Sequence, residues 1–421
     1  MITVKSFSLV KERVADFAAL IDKDTIAVVR PEKALENLLR SLIQGTVAAK
    51  RPVGDAFEPL ESYFRGLSAV PAYQDKVTRT LGTLETYLSE GMSIQADLQA
   101  VEDYVLARCT RLCAEALAAA AGLPVIDGTQ LVVCRTDAPK PYFDWDASRV
   151  AIADACHGGM VVAGGYAREA SGRIVRIGRG GAHMMASLIA SAVQAGAIEF
   201  FSSSPFGGSG SLTYDEAAHY CAVADAPFPS ASLWPAKKAG IPILVKDIAT
   251  PTAVVARISS EAATQAAASP VSGIVAEKDL ELVTVLGTGL LGQVGLSSGI
   301  FSALAAQHVN IRFISQSSSE YSISFAVRHE DSDRVVAAME DLVSGGAMLP
   351  LDDVMVLNQR VGIITIFGSR MKNVPGTSGR VYAALGEAGV NIIASAQGGE
   401  ELSISLVVNE SDLDTALKAL K

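Results

Sequence analysis

The sequence predicts an α/β protein in which a three-layer αβα domain precedes two ferredoxin-like modules of βαββαβ pattern. Strand-like and helix-like segments alternate over roughly the first 265 residues, and a gap-free internal repeat fills roughly the last 140. The composition, 49% hydrophobic and 19% charged, is typical of globular domains rather than of disordered chains. The 421 residues are enough for two or three domains with separate cores.

Charge and cysteine content narrow the possible functions. The net charge of −10 argues against nucleic-acid binding and against attachment to anionic membrane surfaces. No apolar run is long enough for a transmembrane helix, and MITVKSFSLVKERV has no signal-peptide core, so the cytoplasm is the expected compartment. Five scattered cysteines and five dispersed histidines predict buried free thiols and no metal site.

The front part of the chain, residues 1–265, alternates between the two kinds of secondary structure. Strands are expected at MITVKSF, TIAVV, PVIDGTQLVV, MVVAGGYA, RIVRIG, AIEFFSS and IPILVKD. Helices are expected over residues 32–44, 97–121, 182–195 and 215–224. Alternation of this kind predicts the αβα domain.

The segment VRIGRGGAHMMASLIASAV predicts a strand that ends at Gly178, a GRGG turn, and a helix that begins near Ala182. Free N–H groups and the helix dipole at such a start favour an anion, and Arg179 could add a charge-assisted pair. Gly178, Gly180 and Gly181 are therefore candidate anion- or substrate-binding residues. The alternative is an ordinary turn in which glycine supplies a positive φ.

The internal repeat relates residues 282–327 to residues 363–408 at a constant offset of 81. Each copy is predicted to form a strand, a glycine turn, a helix, a strand, a hairpin, a strand and a helix. The segments SSEYSISFAV and EELSISLVV alternate with period two, like strands with one buried face. Two copies side by side can pair their edges, which also creates a crevice between them.

The first copy contains GxGxxG, at Gly287, Gly289 and Gly292, after a strand and before a helix. This pattern is a dinucleotide fingerprint, but the following strand, IRFIS, lacks the acidic residue that would hold the ribose. The second copy has GSRMKNVPG instead. The shared feature is thus a tight strand-to-helix turn, with Gly295 and Gly376 near the helix starts.

The repeat resembles the tandem ACT domains of aspartokinases, especially those of bifunctional aspartokinase–homoserine dehydrogenases. The resemblance rests on VLGTGLLGQVGLSSGIF, VNIRFISQSSSEYSISFAV and MKNVPGTSGRVYAALGEAGVNIIASAQGGEELSISLVV. It implies an amino-acid effector such as lysine or threonine, with SSSEYSIS nearest to the threonine-pathway enzymes, and a homodimer formed through the ACT domains. The effector-binding positions that it implies are Gln293, Val294, Asn310, Gln316, Ser317, Asn391 and Gln397.

Other interpretations of the effector positions stay open. Asn310 and Asn391 could simply cap turns. Gly399 and Glu400 depart from the family, which usually has two serines there. Backbone N–H groups at a helix start suit a carboxylate, and asparagine and glutamine supply both donors and acceptors, so an amino acid fits the chemistry.

In the front part, MVVAGGYAREASGRIVRIGRGGAHMMASLIASAV and AKKAGIPILVKD resemble the aspartokinase catalytic domain. The implied organisation is an amino-acid-kinase-like domain over residues 1–265, a first ACT domain with its preceding strand over 266–350, and a second ACT domain over 351–421. The resemblance is faint before residue 140.

The departures from the kinase pattern are numerous. The Lys-Phe-Gly-Gly-Thr phosphate turn keeps only its lysine, Lys5, and the nucleotide loop is replaced by FFSSSPFGGSGS. The resemblance also implies a Gly-Glu pair at about Leu106 and Ala107, a Ser-Asp pair at Ala182 and His183, and a lysine at Ala226, and this chain has none of them. Phosphoryl transfer depends on positioned charges, so these losses predict an impaired kinase site.

Three hypotheses follow. The first is a catalytically impaired, aspartokinase-like protein that senses an amino acid through its ACT pair and could regulate a partner enzyme. The second is an active carboxylate kinase that uses ATP and Mg²⁺, with Lys5, Arg179 and His183 as catalytic residues in a rebuilt site. The third is a pocket redeployed for another small molecule, whose carboxylate the GRGG turn would hold.

Overall fold

The chain forms two compact units. The computed structural model describes residues 1–50, 54–93, 97–135, 142–178, 180–202, 206, 210–223, 226–260, 270–286, 295–316, 322–344 and 355–420. The first unit comprises Met1–Ala218 and Ala226–Thr264, and the second comprises His219–Asp225 and Gln265–Lys421. The predicted domain boundaries at 265/266 and 350/351 lie outside the described residues and stay predictions.

The strands of the first unit form two sheets. In chain order they are β1 (Thr3–Leu9), β2 (Thr25–Pro31), β3 (Val125–Asp127), β4 (Val133–Arg135), β5 (Tyr142–Asp144), β6 (Met160–Ala163), β7 (Tyr166–Glu169), β8 (Ile174–Arg176), β9 (Ala197–Ser202), β10 (Gly210–Thr213), β11 (Ile243–Asp247) and β12 (Val254–Ser259). The main sheet has the order β10-β12-β11-β9-β1-β2-β6-β3 and is parallel except between β11 and β12. A smaller sheet has the order β5-β4-β7-β8.

The helices of this unit cover both faces of the main sheet. They are α1 (Val14–Ala19), α2 (Lys33–Ile43), α3 (Gly54–Arg65), α4 (Pro71–Ser93), α5 (Leu98–Ala121), α6 (Trp145–Ala155), α7 (Gly181–Val193) and α9 (Trp234–Ala239), together with the first part of α8 (Tyr214–Val223), whose residues from His219 onward belong to the second unit. Ala27 and Val29 of β2 share one buried core with α5. Residues alternate between faces along a strand, so α7, which packs on β1, β2 and β9, covers the other face. The predicted αβα layering is confirmed.

Most predicted elements of the front part form, with identifiable differences. The helix predicted over 97–121 begins at Leu98, where the Asp97 carboxylate caps it by accepting from the Gln99 N–H at 3.0 Å. PVIDGTQLVV splits into β3 and β4 because Asp127 caps a 3₁₀ turn between them. MVVAGGYA splits at Gly165, where φ is +97°.

Two long helices, α3 and α4, are absent from the predicted elements. In α4 the buried residues Tyr73, Val77, Leu81, Leu84 and Leu88 recur every three to four positions, so the helical signal is present in the sequence. Tertiary packing of this face on the core offsets the helix-weakening Gly82, and the same holds for α3 with its internal proline.

The five cysteines are free, and all but Cys221 are buried, as predicted. Burial raises the pKa of Cys156 and of Cys221 to about 12, so these thiols stay protonated near neutral pH. Among the described residues, no helix combines the length and the apolar character needed to cross a membrane.

The second unit contains one six-stranded antiparallel sheet. Its elements are β13 (Gly273–Leu286), α10 (Leu296–Ala306), β14 (Phe313–Gln316), β15 (Ser322–Arg328), α11 (Ser332–Ser344), β16 (Met355–Phe367), α12 (Thr377–Glu387), β17 (Ala394–Gln397), β18 (Ser403–Asn409) and α13 (Leu413–Ala419). The strand order is β14-β15-β13-β16-β18-β17. The predicted repeat forms, with the elements βαββα in each copy, and part of the other copy's long strand supplies the last strand of the βαββαβ pattern.

Two long strands join the modules. β13 and β16 pair antiparallel along nearly their whole length, from Gly273 opposite Phe367 to Leu286 opposite Met355, with a bulge after Glu277. The last part of β13 also pairs with β15 of the first module, and the last part of β16 pairs with β18 of the second. Each long strand therefore belongs to both modules, which predicts that neither module is stable alone.

The two modules have matching cores. In the first, Val283, Ile300, Leu304, Ile323 and Phe325 pack together, and the residues 81 positions later, Ile364, Val381, Leu385, Ile404 and Leu406, form the second core. A third cluster lies on the opposite face of the sheet and joins Leu282 and Phe313 of the first module to Ile363 and Val407 of the second. Both faces of the shared sheet are thus buried.

Candidate functional site

The polar features of the two ACT-like modules repeat as closely as their cores do. The Thr284 and Ser324 hydroxyls lie 2.9 Å apart, and so do the Thr365 and Ser405 hydroxyls at the equivalent positions. Gly295 precedes α10 with φ +91°, and Gly376 precedes α12 with φ +83°. Because L-residues with side chains are strained at such angles, glycine is favoured at both helix starts, as the sequence predicted.

The predicted effector residues lie at the surface, close to these helix starts in at least one module. Asn310, Gln316, Asn391 and Gln397 are all exposed. Gln397 ends β17, and its Oε1 accepts from the Ser378 hydroxyl, in the first turn of α12, at 3.3 Å. The strand end and the helix start that meet here both belong to the second module. Gln293, Val294 and Ser317 lie outside the described residues, as do Gly287, Gly289 and Gly292.

The edge strands of the two modules also meet. β14 and β17 lie against each other, and the Ser315 hydroxyl donates to the Ser395 carbonyl oxygen at 3.5 Å. Gln316 and Gln397 occupy equivalent positions at the ends of these strands. Exposed amide side chains at the ends of adjoining strands can exchange hydrogen bonds with the ammonium and carboxylate of a free amino acid.

In the first unit, the GRGG turn adopts the predicted strand–turn–helix form. Gly178 and Gly180 have φ of +116° and +67°, and α7 begins at Gly181. A Cβ on Gly180 would lie 2.2 Å from Pro229 Cδ, and one on Gly181 would lie 2.8 Å from the Gly165 oxygen. Glycine is therefore required here by close packing alone, which supports the ordinary-turn interpretation. Arg179 lies outside the described residues.

Several N–H groups at this helix start already have acceptors. The Gly181 N–H donates to the Gly178 oxygen at 3.2 Å. The His183 and Met184 N–H groups both donate to the Gly180 oxygen, at 2.9 and 3.1 Å. N–H groups that already donate to backbone oxygens stabilise a bound anion less. The turn should therefore bind an anion less tightly than its sequence suggests.

His183 lies in the first turn of α7 and is only 1% exposed. Its ring contacts Phe200 edge to face at a centroid distance of 4.7 Å, and Phe228 lies 5.9 Å away. Burial, and then the positive charge of Arg30, lower the pKa of His183 well below its usual value. The imidazole is therefore neutral near pH 7, and within the described residues its Nδ1 has no hydrogen-bond partner.

Lys5 lies in the middle of β1, and its ammonium group already has a hydrogen-bond partner and an ion-pair partner. Nζ donates to the Leu20 carbonyl oxygen at 2.7 Å and lies 3.6 Å from Glu199 Oε2. Lys246 donates to the other oxygen of the same carboxylate at 2.7 Å. All three charged side chains are mostly buried. Any anion that recruited Lys5 would have to displace these contacts.

The strand continues past Lys5 where the resemblance implies a glycine turn. Ser6, Phe7 and Leu9 are fully buried. The Phe7 ring packs on Phe17 and Phe201 at centroid distances of 4.9 and 4.7 Å. A buried aromatic ring fills the space beside the backbone that a glycine would leave open.

The start of α5 carries an acidic pair that the sequence analysis missed. The Arg176 N–H donates to Asp103 at 3.1 Å, and its guanidinium donates to Glu102 at 2.7 Å; Arg40 also pairs with Glu102. These contacts tie β8, the strand before the GRGG turn, to α5. Two adjacent carboxylates just after the Asp97 cap were the available signal, but their arginine partners are distant in sequence.

The remaining kinase-type positions are apolar and buried. Leu106, where a Gly-Glu pair was expected, belongs to the main core, and its neighbour Ala107 is also buried. Ala226, in place of a lysine, is buried too. None of these three side chains can contribute charge to a phosphoryl group.

Comparisons with known proteins agree with this architecture. The family model described as "ACT domain" matches residues 283–342 and 364–421. The bifunctional aspartokinase/homoserine dehydrogenase 1 of Arabidopsis thaliana is 34% identical over 194 residues, which cover 44% of this chain and 21% of that protein. Bifunctional aspartokinase/homoserine dehydrogenase 2 of Zea mays is 30% identical over 276 residues, which cover 62% of this chain and 30% of the relative. The chain thus spans less than a third of these relatives.

Similarity to a solved structure extends over the whole chain. E. coli aspartokinase III, in complex with lysine and aspartate, superposes with a TM-score of 0.80 at 16% identity, covering 99% of this chain and 98% of that one. Identity this low establishes only the fold, an α/β amino-acid-kinase domain followed by ACT domains. Together with the sequence relatives, it shows that the chain resembles aspartokinases along its length and contains two segments that match the ACT domain.

Proposed function

We propose that the chain is an amino-acid-sensing regulatory protein of aspartate-family metabolism whose kinase-like unit transfers phosphate poorly or not at all. The observation that carries this proposal is the buried ring of Phe7, packed on Phe17 and Phe201 where the family has a glycine turn for phosphate. A phosphate needs close approach to backbone N–H groups, and a regular buried strand does not offer them.

Two further contacts support catalytic impairment. Lys5 is bonded to Leu20 and paired with Glu199, so its charge is partly neutralised before any ligand arrives. His183 replaces an aspartate and is buried and neutral, so it supplies no negative charge for positioning a cation or a substrate amine. Each lost transition-state contact costs roughly 10² to 10³ in rate, and several are missing at one site.

The ACT pair, by contrast, keeps what a sensor needs. Its helix starts retain their glycines, and Gln316 and Gln397 remain exposed at the ends of β14 and β17. The aspartokinase III structure named above contains lysine, which supports an amino acid of the lysine or threonine type as the effector here. Asn310 and Asn391 are proposed to contribute as additional polar contacts.

The test is a ligand series on the purified chain, by calorimetry and thermal shift, with L-threonine, L-lysine, L-aspartate and ATP–Mg²⁺ added separately. An effector at about 100 times its Kd stabilises the fold by about 2.7 kcal/mol. We expect threonine or lysine to do so and ATP–Mg²⁺ not to. Gln316→Ala and Gln397→Ala should each weaken effector binding by about tenfold or more, because a hydrogen bond to a charged group contributes roughly 1.5–3 kcal/mol.

The matched control is Gln359→Ala, which removes another exposed glutamine from the same sheet. It should bind the effector like the parent chain. Equal weakening by all three substitutions, or no amino-acid binding at all, would contradict the sensor proposal.

A second candidate is an active carboxylate kinase, favoured by the retained GRGG conformation with Gly178 and Gly180 at positive φ. In that case Lys5, Arg179 and His183 would act in a rebuilt site with ATP and Mg²⁺. A hydroxamate-coupled assay with aspartate and other amino-acid acceptors separates the two candidates. Product that is lost in Lys5→Met would establish the kinase, and a flat assay would leave the sensor.

We also infer a homodimer formed through the ACT unit in the cytoplasm. Ile314, Leu357 and Tyr382 of that unit are large apolar side chains that are at least 39% exposed. Covering them in a second copy would remove apolar surface from water. Sedimentation of the purified chain at twice the monomer mass is the expected result.

A further inference from the structure

A cavity of about 360 Å³ opens between α4 and α5, on a part of the first unit that no earlier argument uses. Its lining is dominated by long cationic side chains, namely Lys76, Arg79, Arg108 and Arg111, accompanied by Thr80, Leu112 and Glu115. The volume is within the range of small-molecule sites, at its lower end.

Helical spacing explains why these residues converge. Lys76, Arg79 and Thr80 are three and four positions apart on α4, so they share one face of that helix. Arg108, Arg111 and Glu115 follow the same spacing on α5. The apolar stripes of both helices pack into the main core, so these polar faces are left to line the cavity together.

The charges of the lining do not balance. Four cations face one carboxylate, Glu115, whose Oε1 lies 3.3 Å from Lys76 Nζ and 3.2 Å from Arg111 Nε. Asp127, just outside the lining, accepts from Arg111 at 2.9 Å. The chain as a whole has a net charge of −10, so this cluster of positive charge is not a consequence of a basic overall composition.

Arg79 and Arg108 are the unneutralised members. Within the described part of the chain, neither forms an ion pair, and the buried Nε of Arg108 has no hydrogen-bond partner. The Arg108 guanidinium lies 5.1 Å from the centre of the Tyr104 ring, which holds it at the cavity. A buried donor without an acceptor is costly, so an anion that entered here would gain more than one at an exposed arginine.

We propose that this cavity is a binding site for a small molecule that carries phosphate groups. Arg79 and Arg108 would be its main ligands, since the planar guanidinium pairs with phosphate through two parallel hydrogen bonds. Lys76 and Arg111 add positive charge, and the Thr80 hydroxyl adds a neutral donor. A ligand with at least two negative charges fits the excess, whereas a single carboxylate does not. Leu112 offers limited apolar contact for the rest of the molecule.

Calorimetry at low salt on the full chain tests this site, with inorganic pyrophosphate, AMP and citrate as separate probes. We expect pyrophosphate to bind and citrate, a tricarboxylate, to bind at least tenfold more weakly. Arg79→Gln and Arg108→Gln should each weaken pyrophosphate binding by tenfold or more. Arg149→Gln is the matched control, since Arg149 is an exposed helical arginine of the same unit outside the cavity, and it should leave binding unchanged.

The relative affinities of the probes decide whether the site exists and which class of phosphate it binds. AMP binding more tightly than pyrophosphate supports the site and assigns it to nucleotides, whereas pyrophosphate binding alone supports it for other phosphates. Absent pyrophosphate binding, equal loss in the Arg149 control, or equally tight citrate binding overturns the proposal. Arg79 is exposed, so Arg79→Gln keeps the test valid should Arg108→Gln not fold. Repeating the ATP–Mg²⁺ titration on Arg79→Gln separates nucleotide held here from nucleotide held at the kinase site.

Discussion

The ACT pair and the kinase-like unit contain similar glycine turns, but the surroundings of those turns differ. At α10 and α12 the turns at Gly295 and Gly376 lead to exposed polar side chains that a ligand can reach. In the first unit the turn at Gly180 leads into the helix that carries the buried His183, and the turn expected after Lys5 is replaced by buried strand. The contrast teaches that similar glycine turns can lie beside exposed polar side chains in one unit and beside buried side chains in the other.

Among the tests of this contrast, Phe7→Ala should produce the largest change in stability. If the former phosphate turn is now core, removal of the ring should destabilise the first unit by about 3–5 kcal/mol, as in other buried aromatic truncations. Urea unfolding measures the change. Phe143→Ala, at a half-buried ring that stacks on Trp145, is the control and should cost clearly less. A cost below 1 kcal/mol for Phe7→Ala would mean that the site is not filled as described.

The equivalence of the two ACT modules can be tested next. Leu304 and Leu385 occupy equivalent buried positions, at 1% and 0% exposure. Substituting either by alanine should destabilise the second unit by about 2–5 kcal/mol. Because β13 and β16 run through both modules, each substitution should shift one shared unfolding transition, observed by calorimetry. Separate transitions for the two modules would contradict the shared sheet.

A smaller effect is expected from pH through His183. Burial holds its folded pKa well below the usual value of 6.5, so below about pH 6.5 the unfolded chain binds a proton that the folded chain does not. Stability should therefore fall as pH decreases, with a slope of up to about 1.4 kcal/mol per pH unit from this group. Denaturant unfolding of the parent and of His183→Gln at pH values from about 7.5 to about 5.5 measures this effect. The free energy of unfolding should depend less steeply on pH in the variant. An identical slope would place the titration elsewhere.

The smallest expected effect concerns the paired hydroxyls. Thr365→Val, which keeps the shape but removes the hydroxyl bonded to Ser405 at 2.9 Å, should cost about 0.5–1.5 kcal/mol. The equivalent Thr284→Val should cost a similar amount. Thermal unfolding of the two variants compares the modules directly. If their losses of stability differ by more than about 1 kcal/mol, the two hydroxyl pairs are alike in geometry but not in energy.

Much of this architecture could be predicted from sequence because its signals are local. The helix at 98–121 was predicted from its apolar spacing, and Asp97 is its cap. The repeat identified the two ACT modules because equal spacing of glycines and apolar residues imposes equal turns and cores. The α3 and α4 helices were missed although α4 has a clear apolar stripe, because an internal proline in α3 and Gly82 in α4 weaken their propensity and packing compensates for it.

The sequence by itself determined the two-part organisation, the strand and helix periods and the loss of glycine after Lys5. Only the tertiary structure decided that Lys5 is held by Leu20 and Glu199, that β13 and β16 each serve both modules, and that Arg79 and Arg108 face one cavity. The physical reason is separation along the chain. Turns and periodicity depend on residues a few positions apart, whereas these contacts depend on which distant elements the core brings together.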